Sequence, residues 1–163
     1  MVDLCFQFVD KMLRKYYNVG CDLGCGIGTW GPILKKHCSY LIGVDRNPYH
    51  LKESAKTGCY SKLVLKDIRF FQVPLQAEIV FMFDVIEHLP KQDGINLLHQ
   101  LQNHDCIIST PSHFFPITIG WGPHVSLWTV DDFKNYDYDT YLINTGWKDL
   151  FFGKRIVAYK TKS

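Results

Sequence analysis

Two groups of residues in this chain have the types and spacing to do chemistry. The first is Asp84-Val85-Ile86-Glu87-His88-Leu89, two carboxyls and an imidazole in one short segment, with further imidazoles at His124 and His113. A positioned histidine can take a proton from a hydroxyl or return one, which is typically worth about 10²–10⁴-fold in rate. His88 and His124 are the candidate catalytic residues, with His113 third. A structural role competes for the two acids: Asp84 would cap a helix start and Glu87 would complete a capping box three residues on. His88 is left without such an explanation.

The second group is Gly20-Cys21-Asp22-Leu23-Gly24-Cys25-Gly26-Ile27-Gly28, answered by Asp45 at the close of Tyr40-Leu41-Ile42-Gly43-Val44. Alternate glycines let the backbone turn tightly after a strand and come close to a ligand where side chains would clash. An acid at the tip of the next strand is placed to accept hydrogen bonds from both hydroxyls of a ribose. Lys66-Asp67-Ile68 follows at a third strand tip, with a carboxylate for an exocyclic amine and an apolar neighbour for a base. Singly, these read as packing glycines, a solvated strand end and a turn aspartate. Together they read as half of a nucleotide-type pocket.

The elements that must carry these groups alternate. Apolar residues at helical spacing predict a helix over 3–15, then a strand over 18–23, a short helix over 29–37 and a strand over 40–45. A helix over 48–56 opens on Pro48, strands follow at 61–66 and 78–84, then a helix at 90–103 and a strand at 105–109. That order implies a parallel sheet with helices on both faces. The run Glu78-Ile79-Val80-Phe81-Met82-Phe83 reads as a central strand buried on both sides, next to the first strand. On either side of Gly146, segments 140–143 and 155–159 read as an antiparallel pair closing the sheet. The one long irregular stretch, 111–128, is rich in aromatic residues, histidine and proline, and a loop of that kind is more often functional than idle.

Size and composition narrow the classes. At 163 residues and 47% apolar content the chain is expected to form one domain over 1–163. Eighteen basic against sixteen acidic residues give a formal charge of +2, too small a field to argue for nucleic acid. Six cysteines show no CxxC pair and no framework spacing, so free thiols in a reducing compartment are expected. The first fifteen residues mix charge with apolar groups, so neither a signal peptide nor a membrane span is expected, and the location read is cytoplasmic.

Asp22-Leu23-Gly24-Cys25-Gly26-Ile27-Gly28, Asp45, Asp67 and Asp84 to Leu89 together resemble the class I S-adenosylmethionine-dependent methyltransferases. The likeness includes the D-x-G-x-G-x-G motif and a D-V-x-E-H-L element. It continues through Ile107-Ile108-Ser109-Thr110-Pro111 and His124-Val125-Ser126-Leu127-Trp128-Thr129, with Asp131-Asp132-Phe133. It implies a Rossmann-like seven-stranded, mostly parallel sheet whose C-terminal hairpin places one antiparallel strand between two neighbours. It also implies that Gly24, Gly26 and Gly28 cradle the methionine portion of S-adenosylmethionine, with Asp22 near its ammonium. Asp45 would hold the ribose, Asp67 with Ile68 the adenine, and Asp84 the methionyl end.

A dinucleotide oxidoreductase is the rival for such a turn. Its fingerprint wants G-x-x-G after the second glycine, where Thr29 stands here, and the chain leaves little room for a second nucleotide half. The segment also resembles that of quinone-biosynthesis O-methyltransferases and of small-RNA 3′-terminal 2′-O-methyltransferases. In the RNA branch an E-x-x-E-H element and a later histidine hold a divalent metal. Asp84, Glu87, His88 and His124 offer a comparable carboxylate and imidazole set. Asp84 stands one methylene short of that branch's glutamate, so no metal is assigned from the sequence. The acceptor expected is an oxygen or nitrogen atom of a small molecule, with metal-assisted methylation of an RNA 2′-hydroxyl as the alternative. Trp30, Phe114, Phe115, Trp121 and Trp128 are candidates for an apolar lid, and Lys154, Arg155, Lys160 and Lys162 read as a solvated basic end. A cofactor-binding pseudoenzyme acting as a scaffold and a globular domain with an empty pocket are the non-enzymatic alternatives.

Overall fold

The computed structural model describes residues 4–113, 122–144 and 154–162. Seven strands form one sheet in the order β3-β2-β1-β4-β5-β7-β6. They are β1 (Tyr17–Leu23), β2 (Cys38–Asp45), β3 (Lys62–Leu65), β4 (Ile79–Phe83), β5 (Asp105–Pro111), β6 (Asp139–Asn144) and β7 (Lys154–Lys160). The helices are α1 (Leu4–Met12), α2 (Gly31–Leu34), α3 (Pro48–Lys56), α4 (Lys91–Gln100) and α5 (Val130–Lys134). This is the expected mostly parallel sheet with its antiparallel C-terminal hairpin. The chain divides into two compact units, one over residues 6–82 and one from residue 83 onward, with residues 4 and 5 joining the latter.

In the first unit β1 pairs in parallel with β2 on one side and β4 on the other, and β2 pairs with β3. The placement of β4 beside β1 agrees with its sequence, since every residue from Ile79 to Phe83 is buried. Helix α3 starts where the chain predicts: Pro48 occupies its first turn and the Asn47 side chain accepts from the Tyr49 amide at 2.9 Å. Tyr17, Leu23, Leu34, Leu41, Val44, Ile79 and Phe81 form its buried centre.

In the second unit β7 lies antiparallel between β5 and β6, with Arg155 opposite both Pro111 and Ile143. Strand β5 runs past the expected end at residue 109, because Thr110 and Pro111 keep pairing with β7 and the Ser112 amide still reaches the Lys154 carbonyl at 2.9 Å. The short helix α5 was not expected from the sequence. A capping box starts it, with the Thr129 hydroxyl and the Asp132 carboxylate bonding each other's backbone amides. Ile86, Leu97, Leu98, Ile107, Trp128, Phe133 and Val157 are its buried centre. All six cysteines are free thiols. Among the described residues no helix is long and apolar enough to cross a membrane.

Candidate functional site

In the first unit the glycine turn follows directly on β1 and is tied to the tip of β2. The Gly24 and Cys25 amides both donate to the Val44 carbonyl, at 2.7 and 3.0 Å. The Asp45 carboxylate accepts from the Gly26 amide at 3.0 Å and from the Asn47 amide at 2.8 Å, and His50 Nδ1 lies 3.5 Å away. Gly24, Gly26 and Gly28 all have positive φ, which an L side chain rarely adopts. At Gly28 space is short as well, since an added Cβ would sit 2.9 Å from Ser54 Oγ and 3.2 Å from Ser54 Cα. This glycine serves the close packing of the turn on α3.

A carboxylate accepts about four hydrogen bonds, and two of those at Asp45 are spent on backbone amides, which fixes the group and leaves capacity for a diol. Asp22 is buried at the end of β1 and accepts from the Tyr60 hydroxyl at 2.7 Å. Burial pushes its carboxyl up to about 7, against the lowering effect of the Tyr60 bond. Asp67 is held by Arg69, whose Nε and terminal nitrogen reach its two oxygens at 3.0 and 2.7 Å, and this pairing holds its carboxyl below the usual range. Ile68 beside it is buried.

In the second unit the end of β4 turns sharply at Asp84, a non-glycine residue at φ 56°, whose amide donates to the Ser109 carbonyl at 3.0 Å. The residues after it form a 3₁₀ turn, Ile86–His88, in place of the capping box suggested for Asp84 and Glu87. Glu87 is buried and accepts from the Thr110 hydroxyl at 3.0 Å through Oε2, while its Oε1 is buried without a hydrogen-bond partner. Burial and then the charge of Asp84 push the Glu87 carboxyl up to about 8.

The segment carrying His124 is stitched to this turn. The Val125 and Ser126 amides donate to the Glu87 carbonyl at 2.9 and 3.1 Å, and Trp128 Nε1 donates to the Ile86 carbonyl at 3.2 Å. His124 is thereby set against His88, with ring centroids 5.0 Å apart in an edge-to-face arrangement. His88 Nδ1 lies 3.0 Å from the Pro123 carbonyl, which only accepts, so Nδ1 donates there and Nε2 is the ring nitrogen left for another partner. Burial, and then the neighbouring His88, lower the pKa of His124 and favour its neutral ring. One donor atom each from Glu87, His88 and His124 lies within 4.8 Å of the others.

Two expectations shift. Trp128 is only 1% exposed and belongs to the core; a Cβ on Gly94 of α4 would fall 2.4 Å from its ring, so it is not a lid. Phe114, Phe115 and Trp121 lie outside the described residues, and Trp30 packs edge-on against Phe6 with centroids 4.2 Å apart. Arg155 is no solvated end: its side chain is 16% exposed and ion-paired with Asp84. Tyr60, Thr110 and Arg155 were all missed as site residues, because each reaches its acid from a distant strand or loop.

Residues 21–101 match the family described as a methyltransferase domain. The methyltransferase domain of bacterial CtHen1-CN shares 20% identity at a TM-score of 0.65, over 96% of this chain and 97% of that one. Magnesium protoporphyrin IX methyltransferase from Synechocystis PCC 6803, solved with bound SAM, shares 15% at 0.69 over 96% and 78%. N-methyltransferase NodS from Bradyrhizobium japonicum WM9 shares 14% at 0.73 over the whole of both chains. No curated protein matches the chain in sequence. The family match falls on the glycine turn, Asp45, Asp67 and the Asp84 to His88 segment, and over residues 21–101 the chain carries a methyltransferase domain.

Proposed function

We propose that the protein methylates a hydroxyl oxygen, with a divalent cation held by Glu87, His88 and His124 at the acceptor. The observation that carries this reading is the buried, unpartnered Oε1 of Glu87 beside two imidazoles whose donor atoms converge with its carboxylate within 4.8 Å. A buried carboxyl oxygen without a partner is costly, and a cation that displaces the proton is what one carboxylate and two imidazoles together can satisfy.

S-adenosylmethionine supplies a methyl already activated on a sulfonium, so no covalent nucleophile of the protein is needed. The buried thiols of Cys21 and Cys25 suit that absence, since burial pushes both upward and keeps them protonated. A cation at the trio would supply Lewis-acid help, making the hydroxyl proton easier to lose. The chain's own residues prepare that site: the Pro123 carbonyl fixes the His88 tautomer, burial keeps His124 neutral, and Thr110 orients Glu87. In the first unit Asp22, Gly24, Gly26, Gly28, Asp45, Asp67 and Ile68 are the proposed cofactor contacts; Asp84, expected at the methionyl end, lies in the second unit.

The acceptor proposed is a small hydroxylated molecule, met in a reducing, cytoplasmic compartment that suits six free thiols. A second reading, the 2′-hydroxyl of an RNA end, is favoured by the order of Glu87, His88 and His124 in the chain, while a formal charge of +2 gives RNA little electrostatic grip. The test is methyl-label transfer from S-adenosylmethionine to hydroxyl panels, amine panels and a short RNA, with Mn²⁺ or after chelation. Label on a hydroxyl that is lost on chelation and in Glu87→Gln supports the reading; label on amines that ignores both overturns it.

A further inference from the structure

The trio has an acidic neighbour that does not join it. Asp84 precedes Glu87 by three residues, and its negative charge is felt at the Glu87 carboxyl. A carboxylate so placed is the natural fourth donor to a cation at Glu87. Yet the converging donors among the described residues are Glu87, His88 and His124 alone.

Asp84 is engaged elsewhere. Strand β7 brings Arg155 opposite Pro111, and one terminal nitrogen of its guanidinium bonds Asp84 Oδ1. The Arg155 side chain is mostly buried while that of Asp84 is 39% exposed, so solvent screens the pair only from the Asp84 side. The turn at Asp84 is fixed as well, through its amide bond to Ser109 and its left-handed backbone. An arginine does not give up its charge within the physiological pH range.

We propose that Arg155 sets which metal the protein takes: by claiming Asp84 it leaves a site of two imidazoles and one carboxylate, which selects Mn²⁺, Fe²⁺, Co²⁺ or Zn²⁺ over Mg²⁺. Mg²⁺ prefers oxygen donors and keeps its waters, so losing one carboxylate weakens it most. Imidazole nitrogen suits the later first-row ions, which lose less. Arg155 acts through Asp84 and is a positioning residue. The inference rests on the metal reading given under Proposed function.

The test uses the full chain, stripped with a chelator and titrated with Co²⁺ by its visible absorption, with Mg²⁺ and Zn²⁺ measured by competition. Wild type is expected to bind Co²⁺ and Zn²⁺ at least about 100-fold more tightly than Mg²⁺. Asp84→Asn is expected to leave Co²⁺ affinity within about 3-fold, whereas Glu87→Gln, which removes a ligand, costs about 10–100-fold or more. Arg155→Met frees Asp84 and is expected to narrow the Co²⁺ to Mg²⁺ gap by about 10-fold, with the gap restored in the Asp84→Asn, Arg155→Met double variant. If Asp84→Asn weakens Co²⁺ as much as Glu87→Gln does, Asp84 is a ligand and the role of Arg155 is overturned while the metal site stands. A folded Arg155→Met with an unchanged gap overturns it too. Should Arg155→Met not fold, the Asp84→Asn comparison still decides. Failure of wild type to bind Co²⁺, Zn²⁺ or Mn²⁺ overturns the metal reading itself, and this inference with it.

Discussion

The Tyr60 hydroxyl donates to the buried Asp22 carboxyl across 2.7 Å, joining the loop before β3 to the end of β1. The Tyr60 ring is wedged where only glycines leave room: a Cβ on Gly43 would fall 2.7 Å from it and one on Gly31 3.0 Å. Tyr60→Phe keeps the wedge and removes the donor, which is expected to cost about 1–2 kcal/mol of stability. The sign of its pH dependence follows from Asp22, whose folded pKa of about 7 lies above the ordinary 3.8. Stability from such a group is full below the lower value and lost as pH rises through the higher one. Without the tyrosyl bond the folded value rises further, so urea unfolding is expected to show a larger deficit at pH 8.5 than at pH 5.5. An equal deficit at both would show that Asp22 does not titrate in the fold.

Asp45 offers a separable test of the cofactor half. Asp45→Ala is expected to weaken S-adenosylmethionine binding by about 10–100-fold, the cost of losing charge-assisted hydrogen bonds. Asp45→Asn keeps one acceptor and is expected to fall between the two. Calorimetric titration with the cofactor and with its demethylated product reads both, and wild-type affinity in the alanine variant would remove Asp45 from the site.

The parts legible in the sequence are those whose partners lie close along the chain. The glycine turn, the Pro48 start of α3 and the apolar run of β4 are each set by a few adjacent residues, and each stands where expected. The contacts that define the acid sites are of another kind. Tyr60 bonds Asp22 across 38 positions, Thr110 bonds Glu87 across 23 and Arg155 pairs with Asp84 across 71. No local pattern encodes such pairs, and a basic C-terminal strand reads as solvated until the sheet order places it. Trp128 misled for a related reason: its position in an aromatic loop suggested a lid, whereas its indole N–H is spent on the Ile86 carbonyl in the core.

Gly94 should be intolerant of even a methyl group. Its added Cβ would sit 2.4 Å from Trp128 Cζ2, a rigid buried ring that is itself bonded to the turn carrying Glu87. Gly94→Ala is expected to destabilise the protein by about 1–3 kcal/mol through overpacking, although alanine is the better helix former. A thermal melt equal to or higher than wild type would mean that Trp128 has room to yield.

Glu87 ties the proposed metal site to stability, and the two are expected to oppose each other. Its folded pKa of about 8 stands above the ordinary 4.5, so its contribution is fully present below 4.5 and lost as pH rises through 8. Glu87→Gln imitates the protonated acid and keeps an acceptor for Thr110. Without metal, this variant is therefore expected to match wild type at pH 5 and to exceed it at pH 8.5, where a gain of about 1 kcal/mol appears as roughly 2–4 °C in Tm. Metal reverses the ranking: a ligand at 100 times its Kd adds about 2.7 kcal/mol to wild type and, with its carboxylate ligand gone, far less to the variant. At pH 7 the bound cation must also displace the Glu87 proton, so calorimetric heats in buffers of different ionisation enthalpy are expected to show about one proton released. A Glu87→Gln variant less stable than wild type at both pH values without metal would mean that the carboxyl is held in the fold by something other than its proton.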